Sequence, residues 1–86
     1  MNEISDYITS VIVEMNPYHD GLEAETDLIT GGLLDSLRIM VLVQEIEDKF
    51  DIAVEPGELI MENFQSVTAI TDFITGKIIN HITILT

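Results

Sequence analysis

Three kinds of side chain in this chain of 86 residues have chemistry to offer: Ser36, the histidines His19 and His81, and the 16 Asp and Glu carboxylates. Ser36 stands between Asp35 and Leu37 in "GGLLDSLRIMVLVQEIEDKF", Gly31 to Phe50. As a nucleophile it would need a histidine within hydrogen-bond reach and an acid behind that histidine. His19 lies beside Tyr18 and Asp20 in a stretch without periodicity, and His81 lies in a C-terminal run of ambiguous pattern. Both read as surface histidines. No Gly-x-Ser-x-Gly elbow surrounds Ser36. General acid–base work asks for two carboxyls held across a cleft in unlike environments. The acids here are scattered over solvent faces, and a chain this short has little material to wall a cleft. "DGLEAETD", Asp20 to Asp27, lacks the Asp-x-Asp-x-Asp-Gly start and closing Glu of a calcium loop. No catalytic residue and no metal ligand set is expected.

Ser36 has another use. A serine or aspartate just before an apolar periodic run is an ordinary helix N-cap, and by itself Asp-Ser-Leu signals nothing more. The start of a helix, however, presents unpaired N–H groups and a partial positive charge, which suits an anion such as a phosphodiester. A hydroxyl there, reached through a flexible Gly31-Gly32 approach, could be esterified to a phosphate-bearing group without disturbing the core.

The elements that must position Ser36 follow from hydrophobic spacing. Ile4, Ile8, Val11, Ile12 and Met15 form one helical face, predicting a first helix over about 3–15 that starts at Asn2 or Glu3 and stops at Asn16-Pro17. Residues 16–35 show no sustained period and are too long for a passive connector. They read as an ordered loop, turning at Thr26-Asp27 and pinned by Leu28 and by Leu33 or Leu34. The second helix, about 36–50, buries Ile39, Leu42, Val43, Ile46 and Phe50, while Met40 and Val41 widen its apolar surface beyond the needs of one core. Asp51 stops it. Pro56 suits the first turn of a short third helix, about 57–62, with Glu58 near its positive end. Ser66 caps a fourth helix, about 66–79, burying Val67, Ile70, Phe73 and Ile74. Residues 80–86 read as a frayed or docked tail. The expected fold is all-α: a single domain over residues 1–86, a four-helix bundle with three main helices, a short third helix and a long ordered loop between helices 1 and 2.

Composition narrows the function. The chain carries 16 Asp and Glu against 3 Lys and Arg, a net charge of −13. Such a field repels phosphate backbones and draws in basic protein surfaces, so no nucleic acid is expected among the partners. An apolar content of 47% and a mean hydropathy of +0.32 indicate a folded globule, not an acidic tail. Absence of cysteine excludes disulfides and thiolate chemistry. No signal peptide or membrane span is evident, which places the expected chain in the cytoplasm, as a monomer.

With these residues assembled, the sequence resembles the acyl carrier protein family. Asp35-Ser36-Leu37, the helix ending Glu47-Asp48-Lys49-Phe50-Asp51-Ile52, Pro56 and Phe64-Gln65-Ser66-Val67 fall in order at that family's spacing. The resemblance covers about Ile4 to Ile78. It implies 4′-phosphopantetheine esterified to Ser36, its thiol holding an acyl or aminoacyl thioester, with Asp35 helping a phosphopantetheinyl transferase hold magnesium. It implies a docking face of Leu37, Arg38, Met40, Val41, Gln44, Glu47 and Asp48. Expected partners are that transferase, an acyl- or aminoacyl-activating ligase and downstream acyl-transfer enzymes; the protein itself is not expected to be an enzyme. Fatty-acid carriers are usually acidic in the first turns of this helix, whereas Arg38, Ile39, Met40 and Val41 are basic or apolar. "GGLLDSL" and "ELIMENFQSVTAI" look closer to free-standing carriers of specialised pathways, including the D-alanine carrier. The alternatives are a housekeeping fatty-acid carrier and an acidic interaction module without a prosthetic group; a hydrolase built on Ser36 is the least supported.

Overall fold

The computed structural model describes residues 3–85, with side chains through residue 79. Four α-helices and one 3-10 turn make up its regular structure: α1 (Glu3–Met15), α2 (Ser36–Phe50), a 3-10 turn (Pro56–Glu58), α3 (Met61–Phe64) and α4 (Val67–Leu85). The bundle is thus all-α, with a long ordered loop between α1 and α2.

Each main helix contributes one buried stripe. Ile8, Val11 and Ile12 of α1, Leu42 and Ile46 of α2, and Val67, Ile70 and Ile74 of α4 meet with Phe64 of α3 in one core. Burying apolar area at about 25 cal/mol per Å² is what makes short helices of this length stable at all. On the α1–α2 face, the Tyr7 ring meets Phe50 edge-on at 5.6 Å, and its hydroxyl donates to the Glu45 carboxylate at 3.2 Å. Burial, and then that carboxylate, raise the Tyr7 pKa above its ordinary value. Asp51 ends α2 in the left-handed conformation, φ 54° and ψ 51°, which aspartate tolerates better than most residues.

The loop from 16 to 35 is ordered by hydrogen bonds within itself and to the α3–α4 region. Leu28 is fully buried; its N–H donates to the Gln65 carbonyl at 2.8 Å, and its carbonyl accepts from both Leu33 and Leu34. Farther back, Thr68 N–H reaches the Ala24 carbonyl at 3.1 Å, and the Asn16 side chain donates to the Leu33 carbonyl at 3.1 Å. Instead of turning at Thr26-Asp27, the chain makes two turns. In the first, Thr26 Oγ1 accepts from Glu23 N–H at 2.9 Å; in the second, Asp27 Oδ1 accepts from Thr30 N–H at 3.0 Å.

Two expectations change. The single third helix over 57–62 is split into the Pro56–Glu58 turn and the Met61–Phe64 helix. Leu59 closes the turn onto the Pro56 carbonyl, and Ile60 is extended at φ −108° and ψ 153°. Asn63 holds the kink by donating to the Glu58 carbonyl at 2.8 Å. The final helix also runs to Leu85 rather than stopping near Ile79, because neither Gly76 nor the β-branched residues after it remove a backbone hydrogen bond. Asn2 and Thr86 lie outside the described residues, as do the side chains of residues 80–85.

The Pro56–Glu58 turn is tied to α4 by one ion pair. Lys77 Nζ lies 2.7 Å from Glu58 Oε1, an oxygen that also accepts from Glu55 N–H at 2.8 Å. The Lys77 hydrogen bond chiefly, then the Glu55 N–H, hold the Glu58 carboxyl below its ordinary value of 4.5. A lowered folded-state pKa makes this contribution complete above 4.5 and lost as pH falls through the folded value. Lys77→Met should therefore cost about 0.5–1 kcal/mol in urea unfolding at neutral pH. The difference from wild type should shrink as pH falls below 4.5 and the carboxyl takes up its proton.

Candidate functional site at the start of α2

The start of α2 is built by Asp35, not Ser36. Asp35 is the N-cap: its backbone is extended at φ −132° and ψ −176°, and its Oδ1 accepts from Arg38 N–H at 2.9 Å. Ser36 is the first helical residue and is exposed. Among the described residues its hydroxyl has no hydrogen-bond partner. A serine in the capping position would have spent that oxygen on the helix; one step later, the hydroxyl is left available.

The approach is rigidly specified. Gly32 takes a φ of +78°, a value that L side chains rarely adopt, and a Cβ on Gly31 would sit 2.7 Å from the Asp27 carbonyl oxygen. The paired glycines, expected to be a flexible lead-in, form part of a hydrogen-bonded turn. Leu33 and Leu34, each 2% exposed, anchor it in the core immediately before the cap.

Beside Ser36 opens a groove of about 430 Å³. Its lining comes from Ile29, Leu34 and Ile39, from Leu59, Ile60 and Met61 after the 3-10 turn, and from Phe64, together with Asp35 and Ser36. The part played by Leu59, Ile60 and Met61 is not expected from the sequence, which predicts a continuous third helix there. The signal was present: three successive large apolar residues after Pro-Gly-Glu cannot all face one core.

The expected docking residues divide into two groups. Leu37, Met40, Val41, Gln44 and Asp48 fall at helical spacing along one exposed face of α2. Leu37 is 73% exposed and Met40 66%, far more than apolar side chains of a packed core. Arg38 lies beside this stripe and pairs with Asp35 Oδ2 at 3.3 Å. Glu47 belongs elsewhere: its carboxylate accepts from Val54 N–H at 2.9 Å and ties α2 to the segment after it. His19 is exposed in the loop, and its backbone N–H closes a turn onto Asn16. Among the described residues, no three His, Asp or Glu side chains are grouped to hold a metal ion. Among the same residues, no helix is long and apolar enough to cross a membrane.

The chain is thus a small acidic helical bundle with an exposed serine, unbonded among the described residues, at the start of α2. Residues 6–74 match the family described as the phosphopantetheine attachment site, and the chain belongs to it. It is similar to D-alanyl carrier proteins from two strains of Lactococcus lactis subsp. cremoris and one of Lactococcus lactis subsp. lactis. Each is 35% identical over 55 residues, covering 64% of this chain and 70% of the relative. The prosthetic group of the family is covalently bound 4′-phosphopantetheine. The free hydroxyl of Ser36, the helix start and the adjoining groove fit a phosphodiester continued by a long, partly apolar arm.

Division of labour between Asp35 and Ser36 has a direct test. Asp35→Ala should cost about 1 kcal/mol in urea unfolding through loss of the cap. Ser36→Ala should stay within about 0.5 kcal/mol of wild type, as exposed substitutions do. A larger loss from Ser36→Ala would show that the serine bears the cap.

Proposed function

We propose that Ser36 Oγ is the attachment atom for 4′-phosphopantetheine, and that the protein carries small acyl or aminoacyl groups between enzymes of a specialised pathway. The observation that carries this reading is the displacement of the cap onto Asp35, which leaves an exposed hydroxyl on a rigid helix start. When bound, the group supplies a terminal thiol that holds a carboxylic acid as a thioester. The chain's own residues fix the point of attachment, offer an apolar groove beside it, and present a docking face.

Asp35 remains the acid next to the attachment point and is the residue proposed to help a phosphopantetheinyl transferase hold magnesium. Leu37, Met40 and Val41 give partner enzymes a small apolar centre to desolvate, and Gln44 and Asp48 a polar rim. The acidic surface steers basic partners toward this face. Glu47 is the weakest of the proposed contacts, since its carboxylate already serves Val54.

Small cargo loaded by an adenylating ligase is favoured over long fatty chains. The similar D-alanyl carriers point to aminoacyl cargo of the D-alanine kind. The basic and apolar first turns of α2 lack the acids that a fatty-acid synthase reads. Intact transfer by a purified fatty-acid synthase at normal rates would count against that assignment. A cytoplasmic monomer is the state in which such a carrier meets its partners.

Incubation with coenzyme A and a broad-specificity transferase should add one phosphopantetheine mass per chain, and Ser36→Ala should abolish the gain. A wild-type chain that gains no mass, or a Ser36→Ala chain that still gains it, overturns the assignment.

A further inference from the structure

Arg38 is the single arginine of the chain and the third residue of α2. Its backbone N–H and its guanidinium both bind the same carboxylate, at 2.9 Å to Oδ1 and 3.3 Å to Oδ2 of Asp35. The side chain is therefore folded back to the helix start, away from the docking stripe. As a stabilising contact this is modest, because the two side chains are 39% and 60% exposed and such pairs contribute little. Position gives it more meaning. The other two cations are engaged elsewhere: Lys49 lies over the Tyr7 ring at 5.4 Å, and Lys77 is held on Glu58. Of the three Lys and Arg residues, Arg38 alone stands at the Ser36 end of α2.

Esterifying Ser36 would place a phosphodiester anion beside the Asp35 carboxylate, on a chain of net charge −13. Like charges at such separation repel, and the helix start offsets only part of that. Among the described residues the N–H groups of Ser36 and Leu37 donate to no protein acceptor, and one nitrogen of the guanidinium accounts for its contact with Asp35. A guanidinium has five N–H donors in a planar fork suited to phosphate oxygens, so most remain to be used.

Resting on the Ser36 attachment reading, we infer that Arg38 is the built-in counter-ion of the phosphodiester. It shares its guanidinium between Asp35 and the phosphate, so that attachment adds no net repulsion at the cap. Arg38 then acts as a positioning residue, restraining the root of the arm at the mouth of the groove.

A lone arginine yields one Nε–H resonance, which makes the inference directly measurable. That resonance should move when the chain is converted from the apo to the phosphopantetheinylated form, while the Lys77 ammonium signal stays in place. Thermal unfolding of both forms supplies a second readout. Wild-type apo and modified chains should melt together, whereas modified Arg38→Gln should melt about 2–4 °C below its own apo form at low ionic strength. The gap should close at high salt, and Arg38→Lys should restore most of it. A mass gain on Ser36 with an unmoved Nε resonance, or equal apo-to-modified gaps in wild type and Arg38→Gln, overturns this inference alone. No mass gain at all removes the attachment reading, and this inference with it.

Discussion

The peptide groups of Leu28 hold the site together. Its N–H is committed to Gln65 at the α3–α4 junction, and its carbonyl is committed to Leu33 and Leu34 at the entrance to α2. A fully buried side chain sits between those bonds. Buried backbone groups must find partners, and these bonds are short and mutually supporting. Through one residue the long loop is fastened to the α3–α4 junction, and the point where α2 begins is set. With Leu33 and Leu34 locked into the core, Asp35 is the next residue with freedom to cap.

That register separates the capping residue from the one proposed to carry the prosthetic group. Aspartate takes the cap and an ion pair, and serine, one residue on, is left outside the hydrogen-bond network of the described residues. A slip of one position would reverse the two roles and bind the hydroxyl into the helix. The segment that brings Leu59, Ile60 and Met61 to the groove is held by a different device. The Pro56–Glu58 turn is latched to α4 through Lys77, whose ammonium also lies 5.8 Å from the Phe73 ring centre. Leu59, Ile60 and Met61, which follow this turn, are exposed and line the groove.

Charge follows the same economy. Each of the three Lys and Arg side chains has a partner within the chain, Asp35, the Tyr7 ring or Glu58, while acids outnumber them 16 to 3 and α2 exposes an apolar stripe. In the proposed docking, encounter would be governed by long-range attraction to basic surfaces, and fit by the desolvation of Leu37, Met40 and Val41. The first kind of interaction is weakened by salt and the second is not.

Much of this was legible in residue order. Apolar spacing in α1 and α2 marks two helices because a 3.6-residue period admits few other structures, and Asp-Ser-Leu at the head of α2 with the segments around it identifies the family. The cap was ambiguous in sequence, since aspartate and serine both cap well and only the pinned turn at Leu28 assigns the role to Asp35. The split third helix was hidden because local propensity favours continuation through Leu59-Ile60, whereas Asn63 and Lys77, distant in pattern, draw the chain out of it. Arg38 and Glu47 are both expected on the docking face, yet one folds back to the helix start and the other binds Val54. Composition and periodicity are local and survive in the string of residues. The assignment of each polar group to its partner is a long-range competition, resolved when the core brings those groups together.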